Sequence, residues 1–413
     1  MISTKALKFD IIGLQKKGVT VMNKLAIWTL MHKNLSVADV ELVERNATIT
    51  EVIKTYHLSH APLGTVEDHM ISDRKLEDWL SKRAIPASRQ NIDEVLAELK
   101  IQNTRKLSLK SYGLSLSDQY WIKPKDQNIL WESINFFQND FSTQMGEILS
   151  QEKKVSTQEI PDISFYTPDS SADGWLKKRW IIQNNKRLLL KGASVLYEQE
   201  PFNEKIASDI MTHLGIDHIP YTMMTYKKKP YSVCETFITK DTELIPALNI
   251  VMHEPQKEGD NRLTHLLRGC VNLGMNAKRV KVNIDQMIVV DYLIGNYDRH
   301  WRNFGFIRDA NTLALKGFSP LFDNGASLWQ HHPQVRSDVK TETFKEYETL
   351  DKQLQVVTDL TWYEQIPDDV LDDLIKPTLD LHPTMQDDRK SEIINRVIKH
   401  AHDITALKRK LHP

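Results

Sequence analysis

The chain has 413 residues, 40% hydrophobic and 26% charged, enough for two or three domains with their own cores. Its 54 Lys and Arg against 55 Asp and Glu argue against a general affinity for nucleic acid or an anionic membrane. Two cysteines, Cys234 and Cys270, exclude a disulfide framework and a CxxC metal site, and no apolar run approaches the ~20 residues of a bilayer span. A reducing, cytoplasmic compartment is expected, with no secretory leader.

Residues 1–22 read as a poorly ordered extension, because Met22 stands just before the first strand-like run, Leu25-Ala26-Ile27-Trp28. An α+β accessory domain is expected over 23–155. Ala47 to Ile53 is β-branched and strand-like, and Pro62 and Gly64 then mark a loop. Residues 73–82 and 91–100 carry the period of amphipathic helices, with Pro86 between them; Asn91 and Glu94 have the spacing of a capping box. Aromatic residues crowd the stretch from Tyr112 to Phe141, which predicts packing between domains, and the polar run Gln151 to Glu159 reads as a boundary.

A strand-rich small lobe is expected over 160–240. Trp180-Ile181-Ile182 and Arg187 to Lys191 flank Asn184-Asn185, two residues able to take the left-handed positions of a tight turn. A helix is predicted from Asn203 to Leu214, with Ile206, Ile210 and Leu214 on one face. A second hairpin follows around Lys227-Lys228-Lys229-Pro230, and a mainly helical lobe is expected over 241–413, apart from residues 303–328. The whole is an α+β, two-lobed arrangement behind an additional amino-terminal domain.

The sharpest chemical signal is Asp298-Arg299-His300-Trp301-Arg302-Asn303, where a helical apolar pattern ends at Gly295 and opens into polar residues. Twenty residues on, Pro320-Leu321-Phe322 leads to Asp323-Asn324-Gly325. Phosphoryl transfer from ATP needs one carboxylate to orient and deprotonate the attacking hydroxyl; a second carboxylate and an amide oxygen hold Mg²⁺ against the phosphates. Asp298 suits the first task, and Asn303 and Asp323 the second. The five-residue step from Asp298 to Asn303 is that of the protein-kinase catalytic loop. Taken singly, these residues also fit a surface ion pair, a cap and a tight turn.

Asp-Arg-His-x-x-Asn at 298–303 resembles the catalytic loop of the HipA-like serine/threonine kinases and is similar to that of the phosphatidylinositol-kinase superfamily; Leu-Phe-Asp at 321–323 resembles their metal-binding segment. The resemblance extends into the amino-terminal block, through His57 to Thr65, Arg83 to Arg89, Leu114 to Trp121 and Asn135 to Ser142. It implies that His300 supports the loop or the transferring phosphate; a structural histidine is the alternative. A kinase also needs a phosphate-neutralising lysine aimed by a helix carboxylate, which Lys191 and Glu204, thirteen residues later, suit, and Cys234 to Ile238 resembles a hinge where Glu235 and Phe237 meet adenine; an edge-strand lysine, a first-turn acid, a strand end and a core aromatic are the alternatives. The stretch Thr167 to Lys178 has one glycine and matches no standard phosphate loop. HipA-like loops carry an autophosphorylated serine, which implies Ser170 or Ser171 here.

The family further implies an unidentified protein substrate and an antitoxin-like partner, without direct nucleic-acid or membrane binding. A lipid or small-molecule kinase, a non-catalytic scaffold and a DNA-associated regulator remain as alternatives. Arg83 and Arg89 flank a proline bend as a candidate anion site or a solvated basic turn.

Overall fold

The structure, a computed structural model, describes residues 24–413 except 90, 157, 173, 175, 195 and 196; the extension expected over 1–22 lies outside the described residues. The amino-terminal domain opens with the meander β1 (Leu25–His32), β2 (Leu35–Val43) and β3 (Thr48–Thr55). A short hairpin, β4 (Val66–Glu67) and β5 (Met70–Ile71), leads into α1 (Asp73–Lys82), α2 (Ile92–Glu98) and α3 (Thr104–Lys110). Strand β6 (Tyr120–Pro124) then returns to pair with β1, giving the order β3-β2-β1-β6, and α4 (Thr143–Leu149) follows. Leu76 and Leu80, four apart on α1, bury against Leu30, Val37, Val40 and Leu42 of the sheet. The capping box at Asn91 is not formed. Asn91 has φ 59° and its amide donates to Gln151 Oε1 at 2.7 Å, so α2 starts without that cap.

The small lobe holds β7 (Lys178–Gln183), β8 (Lys186–Lys191), α5 (Glu200–His213), β9 (Thr222–Tyr226) and β10 (Lys229–Glu235), with sheet order β7-β8-β10-β9. Asn184 and Asn185 have φ of 51° and 62°, the backbone expected of a tight hairpin turn. Lys227 and Lys228 take the same role in the second hairpin, while Lys229 and Pro230 already belong to β10. Helix α5 begins three residues before Asn203, because Pro201 fits the first turn, where its missing N–H has no intrahelical acceptor. Trp131, Phe136 and Phe141 pack with Trp180 and Ile182 of β7, the interdomain contact that the aromatic stretch predicts.

The large lobe runs through β11 (Thr242–Pro246), α6 (Ala247–His253), α7 (Arg262–Asn272), α8 (Ala277–Ile294), β12 (Gly305–Asp309) and β13 (Leu315–Phe318). A small hairpin, β14 (Lys340–Thr341) and β15 (Glu348–Thr349), precedes α9 (Leu350–Leu354), α10 (Asp368–Asp380) and α11 (Asp387–Leu411). Helix α8 is the centre of the largest core, where Ile284, Met287, Ile288 and Leu293 meet α5, α9 and α11. The non-helical interval reaches from 295 to 349, longer than expected, because the β14–β15 hairpin and side-chain bonds around it fix its end. Trp329 Nε1 donates to the Arg336 carbonyl at 2.7 Å, and Gln353 Oε1 accepts from the backbone of Phe344 and Lys345.

A buried charge network joins the amino-terminal sheet to the large lobe. His32 on β1 and Tyr120 on β6 form one cross-strand pair, and Glu243 on β11 and Arg308 on β12 form another. Glu243, fully buried, has its Oε1 2.8 Å from His32 Nε2, while its Oε2 accepts from Arg308 Nε at 2.8 Å; Arg308 Nη2 also donates to Tyr120 Oη at 3.0 Å. Burial opposes ionisation of Glu243, but His32 and Arg308 prevail and hold it at about 2, below its usual 4.5. Removing the carboxylate leaves a buried guanidinium unpaired, so Glu243→Ala should cost ~3–5 kcal/mol in urea unfolding. Since the folded value is depressed, this stabilisation is complete above pH 4.5 and is lost as pH falls toward about 2. The variant should show a flatter melting temperature across that interval.

Candidate active site

Helix α8 ends at Gly295, whose φ of 66° and contact with the Trp329 ring leave no room for a side chain. The next eight residues fold around Arg299, which has no solvent-accessible surface. Its Nε donates to Asp291 Oδ2 at 3.0 Å and its Nη2 to Asp291 Oδ1 at 2.9 Å, anchoring the loop to the last turn of α8. Its Nη1 donates to the carbonyls of Asn303 and Phe322, each at 2.7 Å, and its Nη2 also reaches Asn324 Oδ1 at 2.6 Å. One guanidinium thus binds both polar segments, 298–303 and 322–324. Arg299 and Asp298 do not form a surface pair.

Short turns then set the loop. His300 N donates to the Asp298 carbonyl, and Asn303 N donates to the His300 carbonyl, both at 2.8 Å. Asn303 Nδ2 donates to the Asp298 carbonyl at 2.9 Å, which turns the amide oxygen away from that bond. His300 Nδ1 accepts from Arg302 N at 3.2 Å. Gly305, two residues beyond Asn303, passes so close to β11 that an added Cβ would lie 2.3 Å from the Ile245 carbonyl oxygen.

Leu321 makes an isolated parallel bridge with His218, and Asp323 follows with φ 60°, outside any strand. The left-handed backbone turns the carboxylate toward the small lobe, where Lys191 Nζ donates to Asp323 Oδ1 at 2.6 Å and pairs with Glu204. Glu204 also accepts from Asn324 N at 2.9 Å, so it touches both the lysine and the segment after Asp323. Lys191 lies over the Tyr221 ring at 5.3 Å.

Charge follows from this crowding. Burial works against both ions, yet the carboxylates of Asp323 and Glu204 hold Lys191 well above its usual value, and Lys191 holds Asp323 well below the carboxylate range. Asp298 differs. It is exposed at the cleft surface; desolvation by the cleft walls raises its carboxyl above 3.8, His300 pulls it down and Asp323 pushes it up.

A cavity of about 820 Å³ lies between the lobes and is lined by Lys191, Asp298, His300, Asn303 and Asp323. Its apolar end is made by Leu189, Ile219, Cys234 and Phe237, with Phe237 5.8 Å from the Phe322 ring. Glu235 sits exposed at the cleft edge with its carboxylate 2.7 Å from Lys186 Nζ. Ser170 is fully buried and donates to the Thr167 carbonyl at 2.9 Å, and Ser171 donates to the Leu114 carbonyl at 2.7 Å. Both hydroxyls are thus committed to backbone carbonyls, although Ser171 lines the same cavity as Asp298. Arg83 and Arg89 are not a solvated basic turn. Arg83 binds Asp118 and the carbonyls of Gly113 and Tyr120, and Arg89 donates to the carbonyls of Ala172 and Gly174, so the loop before β7 is held from the amino-terminal domain.

Arg299 and Lys178 escaped the sequence reading. Lys178 was recoverable: a two-residue turn at Asn184-Asn185 pairs Gln183 with Lys186 and, five rungs down, Lys178 with Lys191. Both lysines therefore project from one face of the sheet into the cavity, and Lys178 helps to keep Asp323 ionised.

A strand-rich small lobe, a helical large lobe and a charged cleft between them define a two-lobed, protein-kinase-like fold. Residues 152–402 match the family model described as HipA-like C-terminal domain, more than half of the chain, and the protein belongs to that family. The serine/threonine-protein kinase CtkA of Helicobacter pylori is 33% identical over 143 residues, 34% of this chain and 44% of that protein; this chain thus spans less than half the length of that curated relative. A solved structure of Helicobacter pylori CtkA aligns over 55% of this chain and 95% of its own, at 23% identity and a TM-score of 0.40. A chain of the Shewanella oneidensis MR-1 toxin–antitoxin complex of HipA, HipB and operator DNA aligns over 93% of this chain and 99% of its own, at 10% identity and a TM-score of 0.55.

Replacing Arg299 by Met strands Asp291 and two carbonyls in the core, and should lower stability by ~3–5 kcal/mol in urea unfolding. Arg299→Lys should recover little of it, because an ammonium lacks the planar fork that reaches four groups at once.

Proposed function

We propose that the chain is a serine/threonine protein kinase that uses ATP and Mg²⁺. The observation that carries this reading is the joining of Lys191, Glu204 and Asp323 across the cleft, beside Asp298 and Asn303 on the Arg299-anchored loop. Two oxygen donors, the Asp323 carboxylate and the Asn303 amide, suit a hard cation that keeps water and phosphate oxygens as its other ligands. Mg²⁺ held there would supply positive charge against the phosphates.

Lys191, fixed by Glu204, and Lys178 on the adjoining strand neutralise phosphate oxygens. The apolar end around Leu189, Ile219 and Phe237 takes the adenine ring. Asp298 orients the acceptor hydroxyl and takes its proton as that oxygen bonds to the γ-phosphorus, while the bond to ADP breaks and its electron pair leaves with ADP. His300 supports the carboxylate electrostatically.

Autophosphorylation of Ser170 or Ser171 belongs to the same reading and requires the loop to leave its packing on Ser111 and Leu114. An antitoxin-like partner is supported by family membership alone. Cytoplasmic placement accords with the absence, among the described residues, of any helix long and apolar enough to cross a membrane.

Transfer of labelled phosphate from ATP to protein acceptors, with Mg²⁺ present, tests the proposal. Asp298→Asn and Asp323→Ala should each reduce it by ~100-fold or more. Wild-type rates in either variant would overturn the assignment. Because Asp298 must be ionised to accept a proton and its carboxyl is raised, kcat/KM should fall on the acid side at a pH above 3.8. His300→Ala removes the group that pulls Asp298 down, and should move that acid limb to higher pH.

A further inference from the structure

The cavity does not stop at the site described. Beyond Asp298 and Asn303 it continues under the amino-terminal domain, where Lys75, Trp79 and Lys82 line it. These residues lie at i, i+4 and i+7 of α1, one face of the helix; Leu76 and Leu80 are buried in the domain's own core, and Trp79 is half-buried at its margin, with Arg83 over the ring at 4.6 Å. The wall is preformed. Gly64, with φ 88°, packs against α6 so closely that a Cβ would sit 3.2 Å from Met252 Cβ, which seats the loop from Pro62 to Thr65 on the large lobe.

This extension has a definite charge. Among its lining residues from the amino-terminal domain the one acid is Asp118, which Arg83 already holds at 2.6 Å. Lys75 has only Glu67 at 3.5 Å, and Lys82 is exposed with no ion pair or hydrogen bond among the described residues. The surface beside these cations is partly apolar, with Trp79, Leu63, Leu116, Leu248 and Met252 set among polar residues such as Thr65 and Asn249. With Arg83 committed to Asp118 and Arg308 to Glu243, these two lysines do not form the row of phosphate contacts that a polyanionic backbone needs, and the chain's charge of −1 argues the same way.

We propose that the acceptor is an acidic, partly apolar peptide segment, read by the Lys75–Trp79–Lys82 face of α1 as its hydroxyl reaches Asp298. The inference rests on the kinase reading and adds its substrate class. Seven residues of helix separate Lys75 from Lys82, ~10 Å at the helical rise. An extended peptide covers that distance in ~3 residues, so the favoured acceptor carries two acids spaced i, i+3 with apolar residues between them.

The test uses the full chain with Mg·ATP and serine peptides bearing paired acids at different spacings, neutral residues or lysines; an RNA and phosphoinositide vesicles serve as other candidate acceptors. The i, i+3 acidic peptide should have a KM at least tenfold below that of the lysine peptide, and that difference should shrink as salt is raised. Charge reversal in Lys75→Glu/Lys82→Glu should raise the acidic peptide's KM tenfold or more, and Lys82→Gln should give a smaller rise. Stabilisation of each variant by Mg·ATP in a thermal-shift assay shows that it remains folded. Equal use of all peptides, unchanged KM in both variants, or preference for RNA or phosphoinositide overturns this inference and leaves ATP-dependent transfer standing. Absence of both Mg·ATP stabilisation and ATP turnover in the wild type overturns the kinase reading, and this one with it.

Discussion

A guanidinium sealed from water has five N–H groups to satisfy, and Arg299 directs all of them to protein oxygens. The oxygens belong to three pieces of chain, the end of α8, the loop that follows it and the Phe322–Asn324 segment, which backbone bonds such as Tyr297 N to the Ala326 carbonyl also hold together. Asp291 supplies the counter-charge that makes burial tolerable. Because the fork is planar and rigid, satisfying it fixes direction as well as distance. The relative placement of Asp298, Asn303 and Asp323 is therefore a by-product of meeting one buried cation's demands.

The opposite wall of the cleft depends on a second charge arrangement with a different balance. Lys191 lies between two carboxylates, and Lys178 stands across from it on the next strand. Like charges on directly opposed strand positions repel, so this face of the sheet is strained electrostatically except where anions adjoin it. Asp323 and Glu204 are two such anions, and the cavity beside them has room for more.

Much of this was legible beforehand where the physics is local. The helical period with Gly295 at its end located α8 and the polar loop, and the Asn-Asn turn specified the β7–β8 hairpin and with it the position of Lys191. Asp298, Asn303 and Asp323 were recognisable because their types and spacing are dictated by the chemistry they suit. What resisted reading was whatever depends on distant partners. Arg299 looks like a surface residue until Asp291, Asn324 and the Phe322 carbonyl are seen around it. Arg83 and Arg89 bind backbone carbonyls, a role that leaves no trace in spacing. Asn91 failed as a cap because contact with Gln151 outweighed a local hydrogen bond, and Ser170 was hidden by its packing on Ser111.

Helix α5 packs on β9 and β10 of the small lobe, yet its polar side chains also reach into the large lobe. Asn203 donates to the carbonyls of Gly325 and Ser327, Gln199 to that of Leu328, and Glu204 receives the Asn324 N–H. The strands beside it are tied elsewhere: Arg187 donates to the Phe136 carbonyl, Arg179 pairs with Glu152, and Trp180 sits among the aromatics of the amino-terminal domain. The sheet is thus tied to the amino-terminal domain as well as to α5, and α5 to the large lobe as well as to the sheet. Because α5 is held from both sides, the Lys191–Glu204 pair links β8 to a helix whose side chains also hold the Asn324–Leu328 segment, so the two cleft walls share one support.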